Sequence, residues 1–236
     1  MVCAQSRVVL PASHDNTLYQ SPIDQEGQRN ELSNGAGNFL FTGRTGQDAG
    51  FRLRRSLIRF DLQSVLPPGT RIVAASLSLY QTRAAPGSPP AQMGLHRVLQ
   101  AWGEGDSMGI GPEGQGNFAE PGDATWHHRI FPDDLWDTEG GSFVTPASAV
   151  VTVGQSIQTY VWPCTQPMVQ DLQLWQDNPQ LNFGWDLIGG EIAGSSAHRF
   201  SSRENENEVQ RPALTIYYVA QDSLENNGFE SPLSCP

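Results

Sequence analysis

Alternating hydrophobic and polar positions recur along this chain. The clearest run is residues 56–62, in which Ile58, Phe60 and Leu62 alternate with Arg59 and Asp61. Successive side chains of a strand point to opposite faces, so this run predicts a half-buried β-strand. A turn rich in proline and glycine at residues 65–70 separates it from a second alternating run at residues 72–80. The two runs predict neighbouring antiparallel strands.

Shorter runs of the same kind are separated by clusters of Gly, Pro, Asn and Asp, which is typical of a sandwich of short strands. They predict further strands at residues 8–10, 39–42, 93–99, 150–153, 159–161, 183–188 and 214–219. Residues 103–123 are rich in glycine and acidic residues and show no periodicity, so we expect a long loop there.

One helix is predicted. Thr165 is suited to cap its first turn, Pro167 is tolerated in that turn, and Asn178-Pro179 ends it. Met168, Leu172 and Trp175 follow at helical spacing and predict its core face. The chain is therefore expected to be all-β, a jelly-roll-like antiparallel β-sandwich with one short helix.

The 236 residues fit a single sandwich domain, which we place at residues 7–219. Val2-Cys3-Ala4 has the small-x-small pattern of a signal-peptide cleavage site, so residues 1–6 are expected to be a signal remnant or an N-terminal arm. Residues 220–236 are expected to form a C-terminal tail. If Cys3 leaves with the signal, the two other cysteines predict a Cys164–Cys235 disulfide; the alternative is three unpaired thiols.

Charge narrows the choice of partner. The formal net charge is −11, and all fourteen basic residues are arginine. Binding to nucleic acid requires a concentrated basic patch, so a nucleic-acid partner is not expected. No stretch of the sequence reaches the 18 or so apolar residues of a membrane-spanning helix, so no transmembrane segment is expected either.

Motifs for the common hydrolases are missing from the sequence. There is no GxSxG elbow and no HExxH, and the neighbouring His127 and His128 would point to opposite faces of a strand. Acidic residues on and after the long loop, such as Glu104, are candidate catalytic groups of a glycosidase. Such an enzyme needs two carboxylates on either side of the scissile glycosidic bond, and the sequence does not set the distances between these residues.

Two kinds of binding site are predicted from loop residues. Oxygen ligands from separate loops would suit a structural Ca²⁺, and the candidate ligands are Asp15, Asn16, Asp123 and Glu204. Aromatic rings with nearby polar groups are the usual contacts of sugars, and the candidates are Trp102, Trp126, Arg44 and Arg129. The alternative for the two tryptophans, which bracket the long loop, is that they plug the end of the core.

Several segments in collinear order over residues 7–219 resemble the DNRLRE-domain family of secreted bacterial proteins. They are residues 34–44, 55–62, 68–79, 102–105, 123–126, 182–185, 199–204 and 211–218. The resemblance implies a jelly-roll sandwich on exported or cell-surface proteins, some of whose relatives bind acidic polysaccharides such as alginate. It supplies no catalytic residue.

The sequence leaves three functions open. The first is a non-catalytic extracellular module that binds a polysaccharide or cell-surface glycan, or attaches the protein to a surface. The second is a structural subunit that binds copies of itself in a fibre or matrix, donating residues 5–10 or the tail from Ala220 to a neighbouring sheet. The third is an enzyme that cleaves polysaccharides.

Overall fold

The computed structural model describes residues 5–22, 30–220 and 235. These residues form fifteen β-strands, one α-helix and three short 3-10 turns. The strands are β1 Ser6–Pro11, β2 His14–Tyr19, β3 Leu32–Ser33, β4 Phe39–Arg44, β5 Leu53–Arg59, β6 Arg71–Ala84, β7 Ala91–Arg97, β8 Asn117–Phe118, β9 His128–Ile130, β10 Asp134–Leu135, β11 Ala149–Val153, β12 Thr159–Trp162, β13 Trp185–Gly189, β14 His198–Ser201 and β15 Ala213–Val219. The helix is α1 Gln166–Asp177, and the turns are Gln47–Ala49, Pro179–Leu181 and Glu208–Gln210.

Eleven of the strands form one curled antiparallel sheet. Nine follow the order β1-β15-β6-β14-β4-β5-β13-β7-β11, while β12 also pairs with β6 and β2 also pairs with β5. The short pairs β9–β10 and β3–β8 lie outside this sheet. The predicted fold class, an all-β sandwich with one helix, is confirmed.

The main core fills the inside of the curl. Ile58, Phe60 and Leu62 are buried there, as their alternation predicted, and Arg59 is only partly covered while Asp61 is exposed. The helix adds Met168, Leu172 and Trp175 to the same core. Its first turn is capped as predicted, since the Thr165 side chain accepts a hydrogen bond from the Met168 N–H at 3.2 Å.

A second, smaller core lies on the other side of β2 and β5. It contains Leu18 and Leu57 from these strands, and loop residues cover them: Val98, Trp102, Ala124, Trp126 and Trp136. The central strand β5 is therefore buried on both faces, and the long loops form a further layer on the sandwich.

The prediction that β5 and β6 pair with each other is wrong. β5 pairs with β2, β4 and β13, whereas β6 pairs with β12, β14 and β15. The proline and glycine turn after β5 marks a change of chain direction, but it does not specify the partner. β4 and β14, which are distant in sequence from each other, lie between β5 and β6.

The prediction that residues 5–10 are free to be donated to a neighbouring sheet is also wrong. Residues 5–10 are not available to a neighbour in this structure, because β1 pairs with β15 of its own chain from Ser6 to Pro11. At the other end, Cys164 and Cys235 are joined by a disulfide, as the sequence predicted.

The rest of the predicted tail, residues 221–234 and 236, and residues 1–4 of the predicted signal remnant lie outside the described residues. No helix in the described ranges is long and apolar enough to cross a bilayer.

Candidate functional site

The two tryptophans predicted to contact a sugar are buried. Trp102 is 5% exposed and Trp126 4% exposed, and both pack in the second core. The indole N–H of Trp102 donates to the Phe183 carbonyl at 2.7 Å. Their rings cover hydrophobic side chains of the sheet and offer no face to a ligand. The predicted binding role of these two residues is wrong, and the alternative, that they plug the end of a core, describes the structure.

The two arginines predicted alongside them are held by separate neighbours. Arg44 donates to the carbonyls of Phe51 and Ile192 at 3.0 and 3.4 Å. Arg129 pairs with Asp134 at 2.9 Å. The structure therefore gives these arginines local roles and does not join them with the tryptophans in one site.

Three other arginines line one open groove of about 300 Å³. Arg54 comes from β5, Arg83 from β6 and Arg199 from β14. The groove thus crosses the adjacent strands β6, β14, β4 and β5 of the curled sheet. Among the described residues, its other lining residues are uncharged side chains or glycine, with a neutral histidine: Phe41, Thr45, Gly46, Ala85, Pro86, Pro112, Gly114, Ala197 and His198. We call this feature the arginine groove.

Arg54 is a buried cation at the bottom of this groove. It is 6% exposed, its Nη1 donates to the carbonyls of Gln20 and Leu53 at 3.3 and 2.9 Å, and its Nε has no hydrogen-bond partner among the described residues. The guanidinium lies 4.7 Å from the centre of the Tyr19 ring. Burial, with a smaller contribution from the charge of the nearby Arg52, lowers the pKa of Arg54 to about 10, so the group still carries its charge at neutral pH.

Arg83 and Arg199 are directly opposite each other on paired strands. Like charges at such a position repel. Arg199 lies 3.8 Å from the centre of the Phe39 ring and donates to the Thr82 hydroxyl at 2.9 Å. Its pKa is lowered, first by burial and then by Arg83. Among the described residues, Arg54, Arg83 and Arg199 form no ion pair.

Two of the predicted metal ligands meet in a second site. Carboxylate oxygens of Asp15 and Glu204 lie within 4.8 Å of each other and of an oxygen of Glu104. Asp15 comes from β2, Glu104 from the long loop and Glu204 from the segment after β14. We call these three residues the carboxylate triad. The sequence indicates Glu104 only as a candidate catalytic carboxylate, because nothing in the sequence relates it to Asp15 and Glu204.

The structure does not bring Asn16 or Asp123 into the triad as ligands. The Asn16 amide donates to the Glu104 carbonyl at 2.7 Å, and its oxygen accepts from the N–H groups of Thr17 and Asn34. Asp123 accepts from the Glu120 N–H at 2.7 Å and from the Ser107 hydroxyl. Both side chains hold loop backbone in place, so their predicted role as metal ligands is corrected to a supporting one.

Glycines on both sides of Glu104 fix its position. A Cβ at Gly103 would lie 1.8 Å from the Gly122 carbonyl oxygen, and one at Gly105 would lie 1.5 Å from an oxygen of Asp123. Gly105 also has a φ of +72°, which disfavours other residues. The sequence Gly103-Glu104-Gly105 therefore allows the loop to pack closely enough for Glu104 to reach the other two carboxylates.

Arg203 is the cation of the triad. Its guanidinium donates to both oxygens of Glu104 at 2.6 and 2.9 Å and lies 2.8 Å from Oε1 of Glu204, while its backbone N–H donates to Oδ2 of Asp15 at 2.7 Å. Two buried oxygens, Oδ1 of Asp15 and Oε2 of Glu204, have no hydrogen-bond partner among the described residues. Burial raises the pKa of Asp15 well above its usual range, and the charge of Glu204 adds to this. Burial also raises the pKa of Glu204 to about 7.

Comparison with known proteins does not decide between the two sites. No family model matches the chain, and no curated protein matches it at a significant level. The resemblance to the DNRLRE-domain family stays a prediction.

Proposed function

We propose that this chain is a non-catalytic, extracellular β-sandwich module that binds an anionic polysaccharide in the arginine groove. One observation carries the proposal. In a protein of net charge −11, three arginines from three strands line one groove, and none of the described lining residues is acidic. The proposal keeps the carbohydrate-binding function expected from the sequence and moves the site away from the buried tryptophans.

Electrostatics favour an anionic ligand at this place. Arg83 and Arg199 repel each other across paired strands, and Arg54 is buried with no carboxylate partner among the described residues. A bound carboxylate or sulfate would relieve both costs, because a guanidinium donates two parallel hydrogen bonds to such a group. At physiological ionic strength, exposed charges are screened beyond about 8 Å, so distant acidic residues on the surface do not cancel this local field. The buried Glu113, between the lining residues Pro112 and Gly114, offsets part of the field at Arg199.

The other lining residues suit a sugar. Pro86 and Pro112 are exposed, Ala85 is partly exposed, and together they present apolar surface beside the arginines. A sugar ring has an apolar face as well as hydroxyl groups, so such a groove can contact the ring while the guanidinium groups bind its acidic substituents. An open groove also accepts a chain that continues at both ends, as a polysaccharide does.

Binding to polymers of different charge tests the proposal. The protein is titrated calorimetrically with oligomers of alginate and of polygalacturonate, which carry a carboxylate on every sugar, and with neutral dextran oligomers. We expect binding to at least one acidic oligomer, no binding to dextran, and weaker binding as salt is added. Equal binding to dextran, or no binding to either acidic oligomer, would overturn the proposal.

A matched pair of variants locates the site. Arg83→Gln removes one charge of the groove, and Arg71→Gln removes an exposed charge from the same strand outside it. We expect Arg83→Gln to weaken binding by about five- to tenfold, near 1 kcal/mol, and Arg71→Gln to leave it nearly unchanged. Equal effects of the two variants would place the ligand elsewhere. Release of cleaved product from the same oligomers would contradict the non-catalytic part of the proposal.

A further inference from the structure

We infer that the carboxylate triad, Asp15, Glu104 and Glu204, is a binding site for one calcium ion, separate from the arginine groove. The distances between the carboxylate oxygens suit this ion. Calcium binds oxygen at about 2.3–2.6 Å, so two ligands of one ion lie at most about 5 Å apart. The ligand oxygens of the triad all lie within 4.8 Å of one another. One ion can therefore contact all three carboxylates without a rearrangement of the backbone.

Unpartnered buried oxygens provide a second, independent argument. Asp15 is completely buried, and its Oδ1 has no hydrogen-bond donor among the described residues. The same holds for the buried Oε2 of Glu204. A buried carboxylate oxygen without a donor is costly, and a bound cation is one of the groups that satisfy it. The unpartnered oxygens thus belong to two of the three carboxylates that meet in the triad.

The charge of the surroundings matches a divalent ion. Three carboxylates face one guanidinium, that of Arg203, which leaves two negative charges when all three are ionised. Arg59 and Asp61 also interact electrostatically with this region, and their charges offset each other.

The chemistry of the ligands favours calcium over other metals. All three side chains offer hard oxygen atoms, which calcium prefers, whereas zinc sites are built mainly from cysteine and histidine. Magnesium requires a smaller and more regular shell, with opposite oxygens only about 4.2 Å apart. The three segments are also far apart in sequence, so one ion would link β2, the long loop and the segment after β14. We therefore expect calcium to stabilise the folded chain.

The experiment measures calcium binding directly and through stability. Chelator-treated protein is titrated with CaCl₂ at pH 7.5 in a calorimeter, and thermal unfolding is recorded with CaCl₂ or with EDTA. We expect one site with a Kd of about 0.1–1 mM, as in extracellular calcium modules, a higher Tm with calcium, and a weaker response to MgCl₂. The site requires ionised carboxylates, so affinity should fall at pH 5. A protein that shows neither heat nor a change in Tm on addition of calcium would overturn the inference.

Three variants separate a metal site from a general effect of buried acids. Asp15→Asn and Glu204→Gln keep the shape of each side chain, and each is expected to weaken calcium binding by roughly tenfold or more because a charged ligand is lost. Asp186→Asn changes another completely buried carboxylate, which lies outside the triad, and should retain calcium binding. If the loss of binding were equal in all three, or absent in both triad variants, the triad would not be the site. Binding of acidic oligomers to the arginine groove is measured in the separate titration described above.

Discussion

Leu57 and Ile58 are neighbours in β5, yet their side chains belong to different hydrophobic cores. Both are completely buried. Ile58 lies in the main core inside the curled sheet, and Leu57 lies in the second core under the loop tryptophans. The long loops are therefore a structural layer of the domain, and the residues that anchor them contribute to stability.

Trp102 provides a test of this layer. Trp102→Ala should lower the free energy of unfolding by about 3–5 kcal/mol, because a large buried side chain is lost and a cavity remains. Trp102→Phe should lower the free energy of unfolding by less than Trp102→Ala does. In both variants, the molecules that are folded should bind acidic oligomers as tightly as the natural chain does. Urea unfolding and calorimetry measure the two effects. Weaker oligomer binding with unchanged stability would show that the ring belongs to the ligand site.

Glu204 makes stability depend on pH. Its pKa is raised from 4.5 to about 7 in the folded chain, so the folded state keeps a proton that the unfolded chain releases. The associated stability is complete below pH 4.5 and is lost as the pH rises through 7. With EDTA present, the free energy of unfolding of Glu204→Gln should rise by about 1 kcal/mol relative to that of the natural chain from pH 4 to pH 8, after allowance for solvent screening.

Urea unfolding of Glu204→Gln and of the natural chain at pH 4 and at pH 8 measures this change in the free energy of unfolding. Glu208→Gln is the control, since the side chain of Glu208 is 80% exposed. The control should behave like the natural chain at both pH values. A constant difference between Glu204→Gln and the natural chain over this range would contradict the assignment of the proton to Glu204.

Asp186 should show the same sign of pH dependence without calcium. It is completely buried, both of its oxygens lack a hydrogen-bond partner among the described residues, and burial raises its pKa well above the usual range. Asp186→Asn removes the cost of ionisation, so its stability relative to the natural chain should increase as the pH rises above about 4. The exposed Asp137→Asn serves as the control, and a relative stability of Asp186→Asn that stayed flat or fell with pH would refute the prediction.

The Cys164–Cys235 disulfide should stabilise the domain by closing a long loop. The two residues are separated by 71 positions, and the chain-entropy relation gives about 4 kcal/mol for a loop of that length. Paired Cys164→Ser and Cys235→Ser substitutions should lower the urea midpoint, and a reducing agent should do the same to the natural chain but not to the double variant. Insensitivity of the natural chain to reduction would argue against the bond.

Much of the fold was predictable because local patterns report local structure. The period of two correctly predicted that Ile58, Phe60 and Leu62 lie in the main core, although β5 ends at Arg59 and is buried on both faces. The Thr165 cap with Asn178-Pro179 gave both ends of the helix. β2 was missed because its buried positions are partly polar. Asp15, Asn16 and Thr17 are buried there as hydrogen-bonding and charged groups, which no hydrophobic pattern reveals.

The candidate sites were less predictable because they combine residues that are distant in sequence. Asp15 and Glu204 were chosen as loop oxygens, but Glu104 joins them only because the loop packs closely at Gly103 and Gly105. Arg83 and Arg199 are opposite each other only because β14 pairs with β6. The tryptophans were assigned to a ligand because a sequence does not show whether a loop covers its own rings.

The sequence by itself determined the all-β class, most strands, the capped helix, the candidate disulfide pair and the strong negative charge. These properties depend on the period of side-chain directions, on turn and capping residues, and on composition, all of which are local or additive. Only the tertiary structure decided the strand order, the burial of Trp102 and Trp126, the arginine groove and the carboxylate triad. Each of these depends on which distant segments come into contact, and that is set by the packing of the whole curled sheet.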